Sequence, residues 1–361
     1  MSLQFELRPN PHPRSEADRN AVLADPGFGV NFTDHMAVAT WTANDGWSDS
    51  AIVPYGPFSL DPATAVLHYA QEIFEGLKAY QHADGSVWMF RPQKNAARLE
   101  TSAQRLALPV LPEADFLASI DALVAADAAW VPSGGEQSLY LRPFMFASEA
   151  FLGVRAAKRV TYCCIASPAG PYFASGVHPI NIWISTNYTR AAPGGTGAAK
   201  CGGNYAASLI AQQEASAKGC DQVMFADAAE HAWLEELGGM NVYLVTADGE
   251  LITPELNGSI LEGVTRDSIL TLASEFGLTP VERRVGVAEL LEGVGSGHVA
   301  ELFACGTAAV ITPIGSLRND QGTFTVGGGE TGETTAALRK NLLDIQYGRA
   351  ADTHGWLRRV L

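Results

Sequence analysis

A single lysine, Lys200, stands among five glycines in Arg190-Ala-Ala-Pro-Gly-Gly-Thr-Gly-Ala-Ala-Lys200-Cys-Gly-Gly-Asn-Tyr205, and this stretch limits what the chain around it can build. Such a run reads as a loop. Apart from Lys200 itself, no formally charged residue lies between Arg190 and Glu214, so nothing local pairs with the ammonium. That setting favours a lowered pKa and a nucleophilic amine. Gly194, Gly195, Gly197, Gly202 and Gly203 also let the backbone take positive φ and let a large planar ligand come close. A lysine that forms a Schiff base with a carbonyl cofactor needs both properties. On these residues alone a glycine loop carrying a solvated lysine is the plainer reading, so the rest of the chain has to decide.

With 361 residues the chain is long enough for two domains, each with a full core. Hydrophobic residues make up 47% and charged residues 17%, which fits a globular protein and argues against disorder. A net charge of -15 argues against a nucleic-acid or anionic-membrane surface, which needs clustered Lys and Arg, and leaves small molecules as the expected partners. Cys163, Cys164, Cys201, Cys220 and Cys305 show no C-x-x-C spacing, so neither a disulfide framework nor a zinc site is expected. His231 has no histidine partner at metal spacing, and no metal is expected. The first twenty residues are polar and proline-rich, and no later apolar run is long enough to span a membrane. These features read as a cytoplasmic protein.

Taken in order, residues 1–26 read as an irregular arm leading to a strand from Met36 to Trp41. Asp61-Pro62 reads as a helix start, with Val66, Tyr69, Ala70, Ile73 and Phe74 at helical spacing up to Gly76. Leu77 to Gln81 and Val87 to Phe90 flank Asp84-Gly85 as a hairpin. Pro92 opens a helix on which Asn95, Arg98 and Ser102 share one side, a stripe that faces solvent or reaches a phosphate. A second helix runs from Glu113 to Trp130, burying Phe116, Ile120, Leu123 and Val124. In Ser138-Leu-Tyr-Leu-Arg-Pro-Phe-Met-Phe-Ala147 the strand period puts Tyr140 and Arg142 on one face. A phenol and a guanidinium pointing the same way suit a carboxylate, although an edge strand with a polar outer face explains them equally well.

Residues 171–179 read as a linker between a domain of residues 1–170 and one of residues 180–361. Asn204 reads as the cap of a helix ending near Ala217. Glu235 and Glu236 lie in an apolar setting, and whichever is buried needs a cation. Val264 and Thr265 fall at a helix N-terminus, where free amides bind anions, and a strand breaks at Gly306 just before Thr307 and Ala308. Gly327 to Gly329 reads as a hairpin turn, and Thr334 to Tyr347 as a closing helix.

Seven blocks in order carry a family resemblance: Phe74-Glu-Gly-Leu-Lys-Ala-Tyr80, Phe90-Arg-Pro-Gln-Lys-Asn-Ala-Ala-Arg98, Tyr140-Leu-Arg-Pro143, the stretch from Gly194 to Tyr205, Glu236-Leu-Gly-Gly-Met-Asn241, Leu261-Glu-Gly-Val-Thr-Arg266 and Cys305-Gly-Thr-Ala308. Together they resemble the branched-chain amino acid aminotransferases, over the chain from about Phe28 to Trp356. Other fold type IV enzymes, such as aminodeoxychorismate-type lyases and D-amino-acid transaminases, are shorter and lack the Phe-Glu-Gly-Leu-Lys and Tyr-x-Arg-Pro blocks. The resemblance implies an α/β, two-domain, fold type IV architecture, with a smaller N-terminal α/β domain, a larger C-terminal α/β pseudo-barrel domain and a homodimeric assembly. It also implies reversible, ping-pong transamination of Leu, Ile and Val with 2-oxoglutarate, at the last step of their synthesis or the first of their breakdown.

The resemblance further implies roles. Lys200 would hold pyridoxal 5'-phosphate and shuttle the proton, with Glu236 on the pyridine nitrogen and Tyr205 on the phenolic oxygen. Arg98, Thr307 and the amides of Val264 and Thr265 would hold the phosphate, and Arg190 is similar to a further cofactor-side arginine. Tyr140 and the Thr307–Ala308 amides would take the substrate's α-carboxylate, and Arg142 the second carboxylate of glutamate. Phe28, Tyr69, Phe74 and Tyr172 would line the side-chain pocket, and Leu152 and Val154 would come from the neighbouring subunit. Gly239 stands where the family commonly has threonine, which implies a slightly larger pocket.

Overall fold

A computed structural model describes residues 2–170 and 176–361, and Tyr172 lies outside the described residues. The chain divides into two compact units. One holds Met1–Ala174, Ala199–Gly202 and Asp344–Leu361, and the other holds Ser175–Ala198 and Gly203–Leu343. Lys200 therefore belongs with the first unit, along with the C-terminal segment.

The first unit is built on a nine-stranded sheet in the order Glu6–Leu7, Gly46–Pro54, His35–Thr42, Arg159–Ala169, Ser138–Ala147, Leu77–Gln81, Val87–Phe90, Leu357–Arg359, with Glu72–Phe74 also paired to Ser138–Ala147. Only the first pair is parallel. Helices Pro92–Arg105 and Glu113–Ala126 pack on it, and Leu99, Phe116, Ile120, Leu123, Leu139, Leu141 and Met145 share one core. The alternation in Ser138–Ala147 explains the layout, because Leu139 and Leu141 point into that core while Tyr140 and Arg142 stay half-buried on the opposite face.

One strand carries two partners end to end. Lys78 and Leu77 sit opposite Tyr140 and Leu141, whereas Phe74 and Glu72 sit opposite Phe144 and Phe146. Glu75 falls at the break, its N–H donating to the Pro143 carbonyl at 2.7 Å.

The second unit holds a mixed nine-stranded sheet in the order Leu234–Leu237, Gln222–Ala226, Ile180–Ile184, Val310–Asn319, Val299–Gly306, Asn241–Thr246, Glu250–Pro254, Thr279–Arg283, with Gly322–Thr325 paired to Val310–Asn319. Its first strand leads through residues 238–240 directly into its sixth, and the Leu237 N–H donates to the Met240 carbonyl at 2.9 Å. The sheet therefore curls. Helix Gly202–Ala217 covers it with Ala211 and Ala215 against Trp183, Val223 and Phe225.

Four local expectations fail. The arm contains a helix, Glu16–Ala24, because Ser15 accepts the Asp18 N–H at 3.1 Å as an N-cap, although none of its residues is buried. The helix expected from Asp61 to Gly76 shrinks to Val66–Tyr69, since Ala70 turns left-handed (φ 49°) and Glu72–Phe74 gains a full ladder with Phe144–Phe146. Periodicity alone does not register that edge. Asn204 lies inside its helix, not at the cap, and its side chain exchanges hydrogen bonds with Thr196 at 2.7 and 2.8 Å. Gly327–Gly329 forms a 3-10 turn, while the hairpin closes between Asn319 and Gly322.

Candidate active site

In the first unit, Lys200 is surrounded by groups from two elements. Its Nζ lies 4.7 Å from the centroid of the Phe74 ring, on the strand Glu72–Phe74. Its own N–H donates to Ser102 Oγ at 2.9 Å, and its carbonyl accepts the Phe74 N–H at 2.9 Å. The polar stripe of helix Pro92–Arg105 is therefore turned inward. Ser102 holds the lysine's backbone, while Asn95 and Arg98 both bind Glu75.

Glu75 is fully buried and held at both oxygens. Arg98 reaches it with Nε to Oε1 at 2.7 Å and Nη2 to Oε2 at 2.9 Å, and Asn95 Nδ2 adds 2.8 Å to Oε2. Burial pushes this carboxyl up, but Arg98, the positive charge of Lys200 and the Asn95 bond together outweigh it and hold the pKa below its ordinary value. No motif spacing in the sequence singles out Glu75. A signal exists, because a glutamate between Phe74 and Gly76 in a strand-forming run has to find a cation once it is buried.

Tyr140 and Arg142 do point the same way. Arg142 Nη2 donates to the Tyr140 hydroxyl at 3.1 Å, and its guanidinium sits 4.8 Å from the Phe74 ring centroid and 5.4 Å from that of Tyr140. Phe28 packs edge-on against Tyr140 at 5.2 Å. Arg142 Nε is buried without a hydrogen-bond partner, so the guanidinium keeps a donor for an incoming acceptor. Phe28, Phe74, Tyr140 and Arg142 thus form one aromatic group around a guanidinium. Tyr69 stands further along, its hydroxyl donating to the Leu152 carbonyl. Leu152 and Val154 themselves are exposed, Val154 at 89%.

In the second unit, Glu236 is held on every side. Arg190 Nη1 lies 2.8 Å from Oε1, the Leu261 N–H donates to Oε1 at 2.9 Å, and Asn241 Nδ2 donates to Oε2 at 3.2 Å. A buried carboxylate needs such pairing to stay ionised. The protein's own arginine supplies a cation here, besides the ring nitrogen that the resemblance implies for Glu236. Arg190 Nη1 also donates to the Ser259 carbonyl at 3.0 Å, while its Nε is buried without a partner. Gly197 makes this possible, since a Cβ there would overlap the same Ser259 backbone. Glu235 turns to Ser259 and Asn257.

Tyr205 lies in the first turns of helix Gly202–Ala217, beside Gly239. Val264 and Thr265 open helix Val264–Leu272, which has no side-chain cap, so its first amides are available to an anion. Thr307 and Ala308 form the turn between Val299–Gly306 and Val310–Asn319. Of the glycines around Lys200, only Gly194 takes positive φ.

Each unit thus carries its own set of candidate functional groups. The first has a lysine amine and a guanidinium on the same Phe74 ring, and the second has a helix start without a side-chain cap and a carboxylate held by an arginine. The profile of the family described as amino-transferase class IV matches residues 72–317, and the chain belongs to that family. It is 58% identical over 354 residues, 98% of either chain, to a probable branched-chain-amino-acid aminotransferase of Streptomyces coelicolor. It is 53% identical over 363 residues, 99% of either chain, to the branched-chain-amino-acid aminotransferase of Mycobacterium tuberculosis. Among solved structures, the branched-chain amino acid aminotransferase of Escherichia coli is similar with a TM-score of 0.74 and 29% identity, covering 90% of this chain and 100% of the other. That of Thermobaculum terrenum, in its PLP-bound holo form, is similar with a TM-score of 0.72 and 26% identity, covering 90% and 98%.

Proposed function

We infer that the protein is a pyridoxal 5'-phosphate-dependent aminotransferase exchanging amino groups between branched-chain L-amino acids and 2-oxoglutarate. The observation that carries this is the Arg142 guanidinium held against Phe74 and Tyr140, with the Lys200 amine on the same Phe74 ring. An apolar wall with a cation at its edge accepts leucine's alkyl chain in one half-reaction and the second carboxylate of glutamate in the other.

The residues present suit the cofactor. A primary amine, an uncapped helix start, a buried guanidinium with a spare Nε and a fixed anionic carboxylate are the donor and acceptor set that an aldehyde-bearing, phosphorylated pyridine requires. When bound, pyridoxal phosphate supplies the electron sink that stabilises negative charge at the substrate's α carbon. Lys200 would hold it through its amine and would move the proton at that carbon. Glu236, paired with Arg190, would accept the hydrogen bond of the ring nitrogen, and Tyr205 would bond the ring's oxygen. Val264, Thr265, Thr307 and Arg98 bind the phosphate. For Arg98 this role shares the guanidinium with Glu75, which fixes its plane. Tyr140 with the Thr307 and Ala308 amides binds the α-carboxylate. Phe28, Phe74 and Tyr69 enclose the side chain.

Exposed Leu152 and Val154 support a homodimer in which this loop completes a neighbour's pocket. Five free, buried cysteines suit a reducing compartment such as the cytoplasm. Among the described residues, no helix is long and apolar enough to cross a membrane.

The test is borohydride treatment of the purified protein after incubation with pyridoxal phosphate. The expected result is a yellow protein whose cofactor is fixed on the Lys200 peptide, with amino transfer from leucine, isoleucine and valine to 2-oxoglutarate. A colourless protein that takes up no cofactor overturns the reading.

A further inference from the structure

The backbone around Lys200 is gripped at three closely spaced points. The Lys200 N–H donates to Ser102 Oγ at 2.9 Å, its carbonyl accepts the Phe74 N–H at 2.9 Å, and two residues on the Gly202 N–H donates to the carboxylate of Glu72. Ser102 is fully buried and Glu72 is half-buried. Each partner comes from a regular element, Ser102 from helix Pro92–Arg105 and Glu72 and Phe74 from the strand paired to Phe144–Phe146. The loop carrying the lysine is therefore fixed to a helix and a strand at the residue where precision matters.

The Gly202 contact has a requirement of its own. A Cβ at Gly202 would overlap the Glu72 carboxylate and push it away, so the third point of the grip depends on glycine being there. Gly202 also opens helix Gly202–Ala217, so Glu72 satisfies an amide that helix geometry leaves without an intrahelical partner. Burial raises the carboxyl's pKa, against the Gly202 bond and the charge of Arg142. Glu72 is thus held in place at a cost in desolvation, which a purely solvated side chain would avoid.

We propose that Glu72 and Ser102 are positioning residues that hold the Lys200 main chain so that its amine arrives at the reacting carbon in register. The proposal rests on Lys200 being the reacting residue. It acts through the hydrogen-bond acceptor at each position, not through charge. Glu72→Gln and Ser102→Thr, which keep an acceptor, should then behave as the natural protein, whereas Glu72→Ala, Ser102→Ala and Gly202→Ala each release one point.

The experiment measures kcat and KM for leucine in these five variants. It also measures the rate at which trinitrobenzenesulfonate labels Lys200 in the cofactor-free protein, mapped by mass spectrometry with exposed Lys158 as reference. Each releasing variant should lower kcat by about 10- to 100-fold with little change in KM, as expected for a small misplacement of a reacting group. Each should change Lys200 labelling by about threefold or more while Lys158 is unaffected. The acceptor-keeping variants should restore both. Equal loss in Glu72→Gln and Glu72→Ala, or an unaltered Gly202→Ala, overturns the proposal. If Glu72→Ala does not fold, Gly202→Ala and Ser102→Ala decide. Should borohydride fail to place the cofactor on Lys200, the proposed function itself falls, whereas variants silent in an enzyme labelled at Lys200 overturn the grip alone.

Discussion

Arg190 and Glu236 form an ion pair closed off from water: Nη1 lies 2.8 Å from Oε1, and the two side chains are 2% and 3% exposed. Two charges in such a place are stable only as a unit, since either one left alone bears the full desolvation penalty. The remaining bonds, from Leu261 and Asn241 to Glu236 and from Arg190 to Ser259, complete the unit.

Arg190→Met should therefore lower unfolding free energy by about 3–5 kcal/mol, as for loss of one partner of a buried pair. Combining it with Glu236→Gln should cost less than the sum of the two single changes, because the orphaned charge is gone. Urea denaturation of the four proteins reads this directly, and strict additivity would show that the pair is not coupled. Glu236→Gln should also slow turnover by about 100-fold or more, the usual scale for losing a proton-holding group.

Arg142→Ala separates the two half-reactions. On the proposed function the guanidinium, with its spare Nε and its bond to Tyr140, receives glutamate's second carboxylate, while leucine's side chain needs only the rings around it. kcat/KM for glutamate should fall by about 100-fold, the equivalent of roughly 3 kcal/mol for a lost charge-assisted pair, and for leucine by about fivefold or less. Equal losses for both substrates would move the second carboxylate elsewhere.

These residues are legible in the sequence to different degrees. Strand alternation alone puts Tyr140 and Arg142 on one face, because period two is a local property of the chain. The stripe Asn95, Arg98, Ser102 is equally visible, but its direction is not, since whether a polar face turns to water or inward depends on what the sheet brings beneath it. Glu75 and Glu72 show the limit most clearly. Their partners are 23 and 130 residues away along the chain, and the strand that carries Glu72 has the spacing of a helix end, its pairing with Phe144–Phe146 being written some seventy residues further on. The curl of the second sheet is likewise a property of strand order, which no single segment records.

Glu75 links charge to stability. Its folded pKa lies below the ordinary value, so the native protein binds that proton less readily than the unfolded chain does. The stabilisation is complete above the unfolded carboxyl's pKa of about 4.3 and is lost as pH falls through the lower folded value. Glu75→Gln should accordingly destabilise most near neutrality and progressively less as the pH drops below about 4, measured by urea unfolding at several pH values. A destabilisation independent of pH would mean that the carboxylate's charge is not what the pocket holds.

Gly239 sets how much room lies beside Tyr205. A Cβ at Gly239 would meet Tyr205 Cε1 at 3.5 Å, ordinary van der Waals contact, and its backbone φ is not one of the left-handed values, so a side chain fits there without strain. A larger residue should then change substrate choice without changing folding. Gly239→Thr adds a branched side chain beside Tyr205, and with Gly239 lining the side-chain pocket, as the family resemblance implies, that addition narrows the room for a branched substrate. Each methylene-sized intrusion into an apolar pocket is worth about 1–3 kcal/mol of discrimination. The variant should keep its thermal midpoint and its rate with valine, while kcat/KM for leucine and isoleucine falls by about 10-fold or more relative to valine. Steady-state rates with the three amino acids decide it: a uniform loss for all of them would place Gly239 on the cofactor's side of the site, and no change at all would remove it from the site.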